Sequence, residues 1–110
     1  MRLEPALRVY GEIRGLGRAA WEALAGVCPF AAARSADGVV SFTHEGGWVD
    51  AEAFVQAVAA ALGPDGEGDV DVIDNAAWTF TRYRLVPGNI EKQSFGIDDV
   101  LEHTKQEGHY

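Results

Sequence analysis

The stretch Val49-Asp50-Ala51-Glu52-Ala53-Phe54-Val55-Gln56-Ala57-Val58-Ala59-Ala60-Ala61-Leu62-Gly63-Pro64 carries the clearest local signal in the chain. Asp50 suits a helix N-cap, because its carboxylate can accept from backbone N–H groups one turn in. Val49 before it and Phe54 within the helix are spaced for a hydrophobic staple. Phe54, Val55, Val58, Ala61 and Leu62 then recur at helical spacing as one apolar stripe. Gly63-Pro64 stops the helix. A helix apolar on one side needs a layer to lie on, so the flanking segments decide the fold.

Upstream, Leu7 to Arg14 alternates. Leu7, Val9 and Ile13 share one face, while Arg8, Tyr10, Glu12 and Arg14 share the other, the pattern of a half-buried strand. Gly15 and Gly17 punctuate it. Leu16, Ala20, Leu24 and Val27 recur at helical spacing, and Gly26 and Pro29 bracket the end of that helix. Ser35-Ala36-Asp37-Gly38 reads as a turn, making a hairpin of the short run Phe30–Arg34 and the strand Val39–His44. Gly46-Gly47 releases the chain into the second helix.

Downstream, Pro64 to Asp69 reads as a polar Gly/Asp loop, Val70 to Ile73 as a short strand, and Asp74-Asn75 as a turn. Trp78 to Leu85 is dense in aromatic and β-branched residues, with Trp78, Phe80, Arg82 and Arg84 facing one way and Thr79, Thr81, Tyr83 and Leu85 the other. Pro87-Gly88 suits a type II turn that returns Ile90–Phe95 as an edge strand. Asp98 is placed to cap a short C-terminal helix, with Val100 and Leu101 inward. The order predicts an α+β fold of ferredoxin-like split β-α-β type (β-α-β-β-α-β), with an additional C-terminal β-hairpin strand and a short helix. At 110 residues, one domain spanning 1–110 is expected.

Composition narrows the function classes. The chain is 47% hydrophobic and 24% charged, too apolar for a disordered chain and ordinary for a globular one. Lone Cys28 makes neither an internal disulfide nor a thiolate zinc site. The N-terminal residues lack the apolar core of a secretory signal, and Ala51–Leu62 falls short of a membrane span. These features predict a cytoplasmic, soluble protein without membrane attachment. Seven arginines against two lysines, with abundant alanine, suit a bacterial protein from a GC-rich genome.

The net charge of -8 is unevenly spread. Residues 35–81 hold nine carboxylates and no lysine or arginine, while residues 1–34 balance at +2 and residues 82–110 at -1. Such a field repels phosphate backbones, so no nucleic acid partner is expected despite the basic-aromatic run Arg82-Tyr83-Arg84. It would steer a basic protein partner instead.

Motifs for chemistry are sparse. Asp65 to Asp71 alternates carboxylates as calcium loops do, but the sixth position is Val70 and the twelfth Ala76, where such loops need Gly and Glu. Asp99, His103 and Glu107 share a helical face but more simply form the solvated side of a terminal helix. No metal and no cofactor are therefore expected. Cys28, at a helix C-terminus, is poorly placed to become a thiolate. His44 and Glu45, at a strand end before glycines, hold the best acid–base position, with no Ser elbow, P-loop or GxGxxG to partner them.

The leading expectation is a small non-enzymatic binding domain. It would engage a protein or small ligand through a sheet face or its acidic loops, with Tyr10, Arg82, Arg84, Asp69 and Asp71 as binding residues. An uncovered sheet face also predicts self-association, as a homodimer. The alternative is a small enzyme using His44 and Glu45 as acid–base groups on an anionic substrate.

Overall fold

The computed structural model describes residues 6–96. The elements run β1 (Leu7–Leu16), α1 (Arg18–Ala25), β2 (Ala31–Arg34), β3 (Val40–Gly46), α2 (Ala51–Ala61), β4 (Leu62–Asp74), β5 (Thr79–Val86) and β6 (Asn89–Gly96). All six strands join one antiparallel sheet in the order β2-β3-β1-β4-β5-β6. β1 lies inside it, paired to β3 on one side and to β4 on the other.

Alternation along β1 decides which side is buried. Leu7, Val9 and Ile13 are closed off on the helix-bearing face, and the register brings Phe42 and Val40 from β3 and Val70 and Val72 from β4 beside them. Tyr83 and Leu85 continue that layer on β5. Helix α2 covers it with Ala51, Phe54, Val55, Val58 and Ala59. Helix α1 adds Ala20, Trp21 and Leu24 at the margin. Phe42 sits at the centre of an aromatic cluster, with ring centroids 5.6 Å from Phe54, 5.7 Å from Phe30 and 6.1 Å from Trp21. Edge-to-face pairs of this kind add to the area they bury.

The N-terminal signature of α2 is present, but the helix ends at Ala61: Leu62 is extended and opens β4, with Gly63 and Pro64 inside that strand instead of stopping the helix. The Asp50 carboxylate accepts from the Ala53 N–H at 3.1 Å, and Val49 packs against the core. The hairpin turn at residues 35–38 is present with Gly38 at φ 83, and Gly88 at φ 74 supplies the turn from β5 to β6. Asp74 closes the β4–β5 turn, its Oδ1 accepting from the N–H groups of Ala76 and Ala77, both at 2.9 Å.

The ferredoxin-like βαββαβ layout is overturned by the strand count and order of the sheet. Six strands form one layer, and β4, β5 and β6 together build half of it as a continuous meander. The difference starts at residues 64–69, predicted as a loop, which belong to a 13-residue β4. There the glycines permit close strand approach. A Cβ on Gly68 would collide with the Ile13 side chain and lie 2.7 Å from the Glu12 carbonyl oxygen. The short helix expected from Asp98, and the face shared by Asp99, His103 and Glu107, lie outside the described residues. No helix among the described residues is long and apolar enough to cross a membrane.

Candidate functional site

Both helices pack on one side of the sheet, so its other face has no helix or strand over it among the described residues. Register places the side chains of that face in rows across the strands. One row runs Thr43, Tyr10, Asp71, Arg82, Gln93, and the next runs Ser41, Glu12, Asp69, Arg84, Glu91. A third runs Glu45, Arg8, Ile73, Phe80, Phe95. Tyr10, Arg82, Arg84, Asp69 and Asp71, singled out from the sequence as binding residues, therefore share one surface.

Direct cross-strand neighbours of opposite charge satisfy each other here. Arg82 meets Asp71 with Nε to Oδ1 at 2.8 Å and Nη2 to Oδ2 at 3.1 Å, a two-pronged grip that its planar guanidinium allows. The hydrogen bond and charge of Asp71 hold the Arg82 pKa above its ordinary value. Arg84 reaches Asp69 at 3.7 Å and Glu67 at 3.9 Å, a looser arrangement. Arg82 also lies 5.6 Å from the centroid of the Phe80 ring, which stacks on Phe95 at 6.4 Å. Around Asp69, Asp71, Arg82, Arg84, Glu91 and Gln93 the face sinks into a depression of about 620 Å³.

The strand periodicity separates His44 from Glu45. Glu45 belongs to the open face, where its Oε2 accepts from the Tyr10 hydroxyl at 2.9 Å. That hydrogen bond, then burial and the Glu45 charge, raise the Tyr10 pKa. His44 lies on the helix side, its ring 6.1 Å from Phe30 and its Nε2 2.9 Å from the Gly47 carbonyl oxygen. The structure does not bring the two together. His44 instead ties down the loop that leads into α2.

Two features went unseen in the sequence. Arg8 Nε is enclosed without an acceptor, although Glu45 stands opposite it in register. On the helix side, Glu52 Oε1 accepts from Lys92 Nζ at 2.7 Å and from the Tyr83 hydroxyl at 3.2 Å. Lys92 and Tyr83 hold the Glu52 pKa below its ordinary value. Burial, followed by the Glu52 charge, pushes Tyr83 up to about 12. Only alternation could have hinted at that trio, because its members come from α2, β5 and β6. Cys28 is half-buried, its pKa raised by burial, and its thiol donates to the Phe30 carbonyl at 3.5 Å. No three His, Cys, Asp or Glu side chains among the described residues converge closely enough to hold a metal ion.

No family model, no curated protein and no solved structure matches this chain.

Proposed function

We propose that this domain is a non-enzymatic binding module whose working surface is the open face of the sheet. The observation that carries the reading is the pairing of Arg82 with Asp71 and of Arg84 with Asp69 beside a depression on that face. Paired charges on a flat surface present donors and acceptors at fixed strand spacing. They suit a partner of mixed charge, and they favour specificity over raw affinity. The stacked Phe80–Phe95 pair at the margin adds an apolar anchor, the residue type that carries binding energy at interfaces. A protein surface fits the breadth of the face, because its rows of polar side chains run across β3, β1, β4, β5 and β6. A second copy of the chain is one such protein.

The acid–base alternative receives no geometric support, because His44 and Glu45 project from opposite faces of β3 and His44 is engaged with Gly47. The test is a comparison of three immobilised forms. A partner held by the wild type should be lost on Arg82→Glu/Arg84→Glu and retained on His44→Ala. Retention by the charge-reversed form overturns the reading.

A further inference from the structure

The helix-bearing side carries a second concavity that the open-face reading does not use. It is a cleft of about 430 Å³ between the start of α2 and strands β4 and β5. Its size lies within the range of small-ligand sites. Leu7, Val72 and Tyr83 form a buried floor, and Trp48, 68% exposed, stands at its rim. Asp50 and Asp74 supply carboxylates, and so does Glu52, whose charge Lys92 already meets from β6 at 2.7 Å; no lysine or arginine lines the cleft itself. Apart from Leu7 and Tyr83, all of its lining comes from residues 35–81, the segment without a single cationic side chain.

We infer that this cleft binds an organic cation, a guanidinium or alkylammonium carried on an aliphatic stem. Three observations favour that class. An apolar floor accepts the stem, while the carboxylates above it attract the charged head. An exposed tryptophan face is the best aromatic partner for a cation. The chain itself already places such a group next to the cleft: the Lys92 ammonium sits on Glu52 and lies 5.9 Å from the centroid of the Tyr83 ring. A bare metal ion fits poorly, because the carboxylates do not converge. His44 supports the rim from behind by bonding the Gly47 carbonyl oxygen one residue before Trp48. The inference is independent of the open-face reading, since the two surfaces lie on opposite sides of the sheet.

The probes are agmatine, which carries a guanidinium and an ammonium on one butyl stem, and the neutral-ended peptide acetyl-Gly-Arg-Gly-amide. Each is titrated into ¹⁵N-labelled protein while Trp48 fluorescence is followed. Binding should shift the amides of Trp48, Asp50, Glu52, Ala53 and Thr79, and weaken as salt is added. Trp48→Ala should weaken it about fivefold, the factor equivalent to about 1 kcal/mol of cation–π attraction. Asp74→Asn should weaken it similarly while keeping the turn, because asparagine caps as aspartate does. Arg14→Ala, on the other face, should leave it unchanged. Binding of agmatine assigns the site to a free amine, and binding of the peptide alone assigns it to an arginine side chain of a partner. The inference is overturned if neither probe shifts those amides up to about 10 mM, well above a millimolar Kd. It is equally overturned if Trp48→Ala and Asp74→Asn, with otherwise unchanged spectra, bind as the wild type does.

Discussion

Arg82 and Asp71 face each other directly across β5 and β4, and the guanidinium engages both carboxylate oxygens, at 2.8 and 3.1 Å. The Arg82 side chain is nevertheless 53% exposed and that of Asp71 29%. Exposed ion pairs contribute about 1 kcal/mol or less, because water screens them and ordering long side chains costs entropy. Arg82→Ala should therefore lower stability by no more than about 1 kcal/mol, read from urea denaturation midpoints. Partner binding should fall by a much larger factor. A large stability loss without a binding loss would make the pair structural.

Phe42→Ala tests the other side of the sheet. Its ring is 2% exposed and touches Phe30, Phe54 and Trp21. Removing a fully packed aromatic ring costs about 3–5 kcal/mol, from lost burial and the cavity left behind. That is a large share of the roughly 5–15 kcal/mol stabilising a domain of this kind. Denaturant unfolding should show the midpoint collapse, with the folded state near the edge of its existence at 25 °C.

The Tyr83 hydroxyl makes stability depend on pH in the alkaline range. Its pKa in the fold is raised to about 12 from an ordinary 10, by burial first and by Glu52 next. The unfolded chain therefore loses this proton first as pH rises, and the native state keeps it. The contribution is complete below about pH 10 and is lost as pH climbs toward 12. Thermal melts across that window should show a falling Tm for the wild type and a flatter profile for Tyr83→Phe, which keeps the ring. Tyr10 is also raised, so some slope should persist in the variant. Equal slopes in the two proteins would contradict the assignment.

Glycine substitutions separate strand from loop in residues 62–69. Gly68→Ala would force a methyl against Ile13 and the Glu12 carbonyl, and overpacking of this kind costs about 1–3 kcal/mol. Gly47→Ala meets nothing within 4 Å and should be nearly neutral. Comparable midpoints for the two variants would mean that β4 does not run alongside β1.

That segment is also where reading the chain by pattern failed. Periodicity located α2 because its cap, staple and stripe all lie within a few residues of one another. It located β1 and β5 because alternation is local, and for the same reason it set Tyr10 apart from Leu7, Val9 and Ile13, and Arg82 and Arg84 apart from Tyr83 and Leu85; that these share one surface came only from the register. Asp65-Gly66-Glu67-Gly68-Asp69 has the composition of a loop, and only pairing with a distant strand makes it extended. Glycine there reflects the nearness of β1, a relation absent from local sequence. The ferredoxin-like expectation failed at the same level, since the number and order of strands in a sheet are set by long-range pairing. The Glu52–Tyr83–Lys92 trio was illegible for that reason too. His44 and Glu45 offered the opposite lesson. Adjacent strand residues point to opposite sides, so a neighbouring pair on a strand is poor evidence of a shared site.

The most direct test of the open-face account is a footprint. ¹⁵N-labelled protein is titrated with its captured partner, and the perturbed amides are mapped onto the sheet. The account predicts perturbation along Tyr10, Asp71, Arg82, Gln93 and their cross-strand neighbours, abolished by Arg82→Glu/Arg84→Glu. A footprint confined to α1, α2 and the Trp48 loop, with those amides unmoved, would contradict it.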